Sequence, residues 1–186
     1  MNYCQSCGAP VRAQIPDGDN RVRHVCTQCH TIHYDNPRIV VGCVPEYDGR
    51  ILLCRRAIEP RLGLWTVPAG FLENGETLAE GAARECWEEA NARVTIGSLL
   101  SIINVTYAHQ VHVLYRARMA TAEYGAGSES LEVKLVTPAE IPWADLAFRS
   151  IEFGLKAYLT DRHNHTETVH TESLYPLYHP QSPVSS

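Results

Sequence analysis

From Arg38 onward the chain alternates short apolar runs with polar breaks. RIVVGCV (38–44) is continuously apolar and predicts a buried strand. Asp48-Gly49 is a turn signal and ILLCRR (51–56) the next strand, so 38–56 reads as a hairpin. A polar loop with Pro60 and Gly63 then leads to LWTVPAGF (64–71). VTI (94–96), LLSIINVTY (99–107), VHVLYRARM (111–119) and LEVKLV (131–136) predict further strands, and TAEYGAGSES (121–130) a flexible loop. Thr137-Pro138-Ala139-Glu140 marks a short helical turn. FRSIEFGLKAYL (148–159) places apolar residues at 148, 151, 155, 158 and 159, a helical period. Residues 161–186 are polar without a period and predict a mostly disordered tail, in which LYPLY (174–178) offers a docking segment. Strands accompanied by only two good helices predict a mixed α/β layer fold rather than a doubly wound one.

The second helix lies between 78 and 90. Thr77 followed by Glu80 is a capping-box signature, and Asn91 stands where left-handed geometry favours Gly and tolerates Asn. At about 100° per residue, Ala79, Ala82, Ala83, Cys86 and Ala90 gather on one face, and Glu85, Glu88 and Glu89 on the other with Gly81. A solvated acidic face is the bland reading. Against it, Arg84 is the only cation interspersed there, and like charges at helical spacing repel. Acidic residues near a helix C-terminus also oppose the macrodipole. A hard divalent cation, which prefers carboxylate oxygens and keeps waters for phosphates, would resolve both.

Net charge is −5, which argues against a general nucleic-acid or anionic-membrane binder while leaving room for a local basic patch. No run approaches the length of a membrane span, and MNYCQSCGAP lacks the basic and apolar regions of a secretory signal, so a cytoplasmic protein is expected. Seven cysteines divide into two groups. Cys43, Cys54 and Cys86 sit singly in apolar surroundings and read as core thiols. Cys4, Cys7, Cys26 and Cys29 form two Cys-x2-Cys pairs in a segment with too few apolar residues for a core. That spacing matches a structural Zn²⁺ site, with two disulfides as the alternative. Metal binding would then supply the folding energy. His24, His30 and His33 lie close by and read as surface residues.

Gly70, five residues, Glu76, seven residues, then Arg84-Glu85-Cys86-Trp87-Glu88-Glu89 resembles the Nudix box, G-x5-E-x7-R-E-U-x-E-E-x-G-U. Cys86 and Ala92 fill the apolar slots, and Asn91 is the single departure, standing where the family has Gly. A four-Cys ribbon running into YDNPRIVVG resembles NADH pyrophosphatase-like Nudix proteins. ESLEVKL…EIPWADLAFRSI (129–151) is similar to plastid-type FAD and ADP-ribose pyrophosphatases and their bacterial relatives. The NADH pyrophosphatase hallmark, an S-Q-P-W-P-F-P-like segment after the box, is replaced by IINVTYAHQVHV.

The resemblance implies a Nudix α/β/α sandwich with a mixed sheet over 35–160, preceded by a zinc ribbon over 1–34, with 161–186 as the tail. It implies Mg²⁺ (or Mn²⁺) held by Glu85, Glu88 and Glu89, with the carbonyl of Ala69 or Gly70 as a further ligand and Arg84 orienting the carboxylates through Glu76 and Glu88. Glu129, at the end of the 121–130 loop, is the candidate base, with Glu132 as its neighbour. Arg55 and Arg56 are candidate phosphate holders. Trp65 and Phe71 are open between packing and stacking, and Tyr107 and His109 are further candidates for the pocket. The implied reaction is pyrophosphate hydrolysis of a small nucleotide, FAD to FMN and AMP or ADP-ribose to AMP and ribose 5-phosphate, in a homodimer. NADH or an NAD-capped RNA is the alternative substrate. A ligand sensor whose ribbon binds nucleic acid or protein is the alternative class, and hydrolysis of an oxidised nucleoside triphosphate a weaker option. The intact box glutamates favour catalysis. The ribbon's Arg12, Arg21 and Arg23 and the nearby Arg38 lack interleaved aromatics, so nucleic acid is not the expected partner.

Overall fold

The computed structural model describes residues 1–176 of the chain, which form two compact units, Met1–Pro37 and the chain from Arg38 onward. The first is a three-stranded antiparallel sheet of β1 (Val11–Gln14), β2 (Arg23–Cys26) and β3 (Ile32–His33). Its buried residues are Cys4, Pro16, Val25 and Cys26. So small an apolar set cannot offset the conformational entropy of ordering the segment.

The second unit contains β4 (Arg38–Tyr47), β5 (Arg50–Arg56), β6 (Trp65–Thr66), β7 (Ala69–Phe71), α1 (Leu78–Ala90), β8 (Val94–Val105), β9 (Gln110–Met119), β10 (Ser130–Val136), α2 (Arg149–Asn164) and β11 (His170–Leu174). The sheet runs β10-β5-β4-β9-β8-β11, with β4–β9 and β8–β11 parallel and the other pairs antiparallel. Side chains alternate across it. Val41, Cys43, Leu52 and Cys54 meet Ala82, Cys86 and Ala90 of α1 on one face. Val44, Ile51, Leu53, Leu100 and Leu114 meet Ile151, Leu155 and Tyr158 of α2 on the other. The layers are therefore helix, mixed sheet, helix, and the three single cysteines lie in the core.

Three elements differ from the pattern reading. The 38–56 hairpin pairs only beside its turn, at Glu46–Ile51 and Tyr47–Arg50. Beyond that the strands part: β7 takes β4 through Val41–Gly70 and β6 takes β5 through Arg55–Trp65, so the 65–71 segment wedges the sheet open under α1. The apolar runs at 94–96 and 99–107 are mostly one strand, with register shifts between Ile96 and Leu99 and between Leu99 and Ser101. A bulge absorbs the Gly97-Ser98 break that reads as a gap in sequence.

The third is a correction. The segment from 161, expected as a disordered tail, is ordered through 176. Helix α2 continues to Asn164, and β11 pairs in parallel with β8 through His170–Ser101 to Leu174–Val105. A buried pair holds it: Arg116 donates to Asp161 and, at 2.9 Å, to the carbonyl of Thr168. Asp161 also accepts from Thr168 N–H at 3.2 Å and Thr168 Oγ1 at 3.0 Å. Polar residues thus hold the segment from inside, which a hydrophobic period does not reveal. Of LYPLY, Leu174 is buried, while 177–186 lie outside the described residues.

His112 of β9 joins the sheet to the start of α2. Its Nδ1 lies 2.9 Å from Ser150 Oγ and its Nε2 2.9 Å from Gln110 Oε1, an arrangement that suits a neutral ring. Burial pushes its pKa down to about 4. A depressed folded-state value means stability that is present above the unfolded value, about 6.5, and is lost as pH falls through about 4. Urea unfolding of the wild type should therefore lose on the order of 3 kcal/mol across this window beyond any loss shown by His112→Gln. Parallel pH profiles for the two proteins would refute the assignment.

Candidate metal centre and active site

In the first unit the four paired cysteines converge. Their sulfurs all lie within 4.8 Å of one another, with Cys4–Cys29 at 3.6 Å, Cys7–Cys26 at 3.4 Å and Cys7–Cys29 at 3.5 Å. A disulfide needs about 2.05 Å, whereas four thiolates at about 2.3 Å from one Zn²⁺ stand about 3.8 Å apart. The geometry fits zinc. Amide N–H groups of Ser6, Gln28 and Cys29 donate to Cys4 and Cys26 sulfurs at 3.3–3.4 Å, lowering the charge a metal must balance. His33 is not a plain surface residue: it is half-buried, with Nε2 3.3 Å from Cys4 Sγ.

In the second unit the box forms loop, helix and loop. Thr77 Oγ1 accepts from Glu80 N–H at 3.2 Å, Glu80 Oε2 accepts from Thr77 N–H at 2.8 Å, and Asn91 ends the helix at φ 47°. The three glutamates do not share one exposed face. Glu88 is exposed, but Glu85 and Glu89 are buried at 8% and 5% exposure. Helical spacing aligns Gly81, Glu85 and Glu89 on a side that lies over the wedge. There Gly70 leaves room that a Cβ would take from the Glu85 carboxylate.

Burial is the main influence on both of these carboxyls. It pushes Glu89 up to about 8, opposed by the Ala69 N–H donating at 3.1 Å and by the charge of Arg56, and reinforced by the charges of Glu85 and Glu129. It also raises Glu85, against the pull of Arg84. Arg84 donates to Glu76 at 2.8 and 3.0 Å, to Glu85 at 2.7 Å, to Glu88 at 3.1 Å and to the Phe71 carbonyl at 3.1 Å. Hydrogen bonds from Arg84 hold Glu76 down at about 2. Two buried carboxylates with too little positive charge beside them suit a hard divalent cation.

The late loop reaches the end of the box helix through its backbone, and the Glu129 side chain on it is exposed. That loop is fixed to its surroundings: Gly125 N–H donates to Ala90, Gly127 N–H to Glu89, and Ala57 N–H to the Glu129 carbonyl at 2.8–3.0 Å. The two arginines of β5 part company. Arg56 is buried, donates to the Pro60 carbonyl at 2.9 Å and stacks 5.2 Å from the Phe148 ring. Arg55 leaves the opposite face, donating to the Gly63 carbonyl at 3.0 Å with Glu132 at 3.7 Å. Glu132 meets Lys134 at 2.6 Å, and Lys134 lies 5.5 Å over the Trp65 ring. Arg55, Trp65 and Glu132 thus cluster with Lys134, a residue whose only sequence signal is its i+2 relation to Glu132. Phe71 carries Arg38 over its ring at 4.6 Å. Tyr107 and His109 lie in the turn after β8, remote in sequence from any residue of the box.

The family model for the NUDIX domain matches residues 36–156, and that for the Nudix N-terminal zinc ribbon matches 2–35. The chain belongs to the Nudix family. A crystal structure of a NUDIX hydrolase from Nitrosomonas europaea is 48% identical, superposes with a TM-score of 0.91, and covers 94% of this chain and 99% of its own. An NAD-capped RNA hydrolase NudC from Edwardsiella ictaluri is 38% identical over 94 residues, which are 50% of this chain and 34% of that protein. An ADP-ribose pyrophosphatase from Methanocaldococcus jannaschii is 28% identical over 113 residues, 59% of this chain and 67% of its own. The chain thus spans about a third of the length of the capped-RNA hydrolase. No helix among the described residues is long and apolar enough to cross a membrane.

Metal analysis should find one zinc per chain. Cys26→Ser should drop it well below half and abolish amide protection in residues 1–37, because metal binding supplies on the order of 10 kcal/mol to such a domain. Full protection without zinc would refute the ribbon assignment. For Glu89, a raised folded-state value means stability that is present below the unfolded value and lost as pH rises through about 8. Metal-free protein at pH 8 should therefore gain thermal stability on Glu89→Gln, and Mg²⁺ should raise the Tm of the wild type but not of the variant. An equal Mg²⁺ response in both proteins would exclude Glu89 as a ligand.

Proposed function

We propose that this Nudix chain is a pyrophosphatase dependent on Mg²⁺ or Mn²⁺, which hydrolyses a nucleoside diphosphate linked to a second moiety, with ADP-ribose or FAD as substrate. The observation that supports this reading is the burial of Glu85 and Glu89 against the β7 backbone, where Ala69 N–H donates to Glu89 and Gly70 makes room for Glu85, with the loop that carries Glu129 bonded to the end of the same helix. Glu85, Glu88 and Glu89 would hold the metal, with the Ala69 carbonyl as a further oxygen. When bound, the metal neutralises phosphoryl oxygens and lowers the pKa of a coordinated water.

The chain's own residues supply the rest. Glu129 accepts a proton of the water whose oxygen bonds to one phosphorus; the bond from that phosphorus to the bridging oxygen breaks, and the bridging oxygen leaves on the other phosphate, giving AMP and ribose 5-phosphate or FMN. Arg84 keeps Glu85 and Glu88 turned toward the substrate while Glu76 anchors the guanidinium. Arg56 offsets charge beside Glu89. The Arg55, Trp65, Glu132 and Lys134 cluster offers an aromatic face and cations to a nucleotide. The four free ribbon thiols suit a reducing compartment such as the cytoplasm. A homodimer belongs to the same reading.

The match to an NAD-capped RNA hydrolase supports a second substrate reading, NADH or an NAD-capped RNA 5′ end. The sequence after the box, IINVTYAHQVHV, lies on β8 and β9 and lacks that group's hallmark.

The test is kcat/KM for ADP-ribose, FAD and NADH in parallel with Mg²⁺. Glu89→Gln is the blank, and Glu129→Gln should lower kcat by about 10²–10⁴-fold. A lead for ADP-ribose or FAD is expected, and a lead for NADH would turn the reading to the second substrate class. No turnover above the blank would overturn the hydrolase reading.

A further inference from the structure

The slot where this chain departs from the family pattern does more than end a helix. Asn91 takes the left-handed conformation at φ 47° and ψ 29°, and its N–H closes on the Trp87 carbonyl at 2.8 Å. A glycine would do that equally well. The amide side chain then adds two contacts that a glycine cannot make. Nδ2 donates to the carbonyls of Gly125 and Ala126, each at 3.2 Å. Two backbone bonds run the opposite way, from Gly125 N–H to Ala90 O at 2.8 Å and from Gly127 N–H to Glu89 O at 3.0 Å. Helix and loop therefore cap each other. Gly127 rests so close to the helix end that a Cβ there would overlap the Glu88 carbonyl, so the approach also requires that glycine.

Two residues beyond Gly127 is Glu129. The short span between them is closed by Ser130 N–H donating to Gly127 O at 3.2 Å, and its far end by Ala57 N–H donating to Glu129 O at 2.8 Å. Hydrogen bonds thus tie the loop to the end of α1 at Gly125, Ala126 and Gly127, and two more hold the backbone of Ser130 and Glu129. They begin at the C-terminus of the helix that carries Glu85 and Glu89 and reach the backbone of Glu129, whose side chain is exposed.

We infer that Asn91 is a positioning residue: its amide locks the 121–129 loop to the end of α1 and so sets where the Glu129 carboxylate stands relative to Glu85 and Glu89. This rests on the reading of Glu129 as the base. It acts through Glu129 and touches neither substrate nor metal. Hydrogen bonds at an exposed site add little to global stability. A misplacement of about 1 Å at a reacting group, by contrast, can cost about 10²-fold in rate.

Asn91→Gly preserves the helix end and removes only the amide. With the best-turned-over of ADP-ribose, FAD and NADH, it should lower kcat by about tenfold with KM within about twofold. Made in a Glu129→Gln background, the same change should cost nothing further, because its effect passes through the missing carboxylate. Amide exchange across 125–130, read without any substrate, should quicken at least about tenfold in Asn91→Gly. Unchanged kcat, unchanged exchange, or a full multiplicative loss in the Glu129→Gln background would each overturn the inference. Retained activity of Glu129→Gln by itself would instead remove the base assignment, and the positioning role with it.

Discussion

Arg84 donates to Glu76, Glu85, Glu88 and the carbonyl of Phe71, so one side chain ties the 71–77 loop to the middle of α1. Without a cation there, burial would push the Glu85 carboxyl further toward its protonated form, one turn from the buried Glu89 on the same side of α1. The guanidinium suits the task because it presents several donors in a fixed plane and stays charged. It satisfies only part of the demand. Glu89 lies outside its reach and is left with one backbone donor and a carboxyl raised to about 8. A residual deficit of positive charge of this kind suits a divalent cation.

That arrangement depends on the split in the sheet. β4 and β5 separate after Glu46–Ile51, and β7 brings Ala69 and Gly70 under the helix. Backbone then meets carboxylate directly: Ala69 supplies an N–H, and Gly70 supplies the space that Glu85 fills. A continuous β4–β5 ladder would put side chains there instead. The other helix, α2, covers the opposite face with ordinary aliphatic packing.

Two polar devices finish the structure at its margins. The Arg116–Asp161 pair orders the segment after α2 and lets β11 join the sheet, while the four converging thiols would, on binding a metal, give the ribbon the cohesion its few buried residues cannot. Both replace hydrophobic burial with specific polar geometry. A buried ion pair of this kind is costly to break, because removing one partner strands the other charge.

The sequence by itself determined the strands at 38–44, 51–56, 111–119 and 131–136, the capped helix from Leu78 to Ala90, the core thiols and the four-cysteine cluster. Each rests on a local signal, a period of 2 or 3.6, a capping residue or a fixed spacing, which the chain carries within a few residues. The spacing of Gly70, Glu76 and the Arg84–Glu89 run likewise marked the candidate site. Tertiary structure decided the rest. Helical periodicity sets Glu85, Glu88 and Glu89 near one another, but only the wedge at 65–71 decides that Glu85 and Glu89 are buried and Glu88 is not. Arg55 and Arg56 look equivalent in the chain, yet the alternation of β5 sends them to opposite faces. The order after Asp161 and the link from Asn91 to the 121–129 loop come from partners 34 to 52 residues away. Polar contacts across such separations leave no period in the sequence, because their geometry exists only once the sheet has closed.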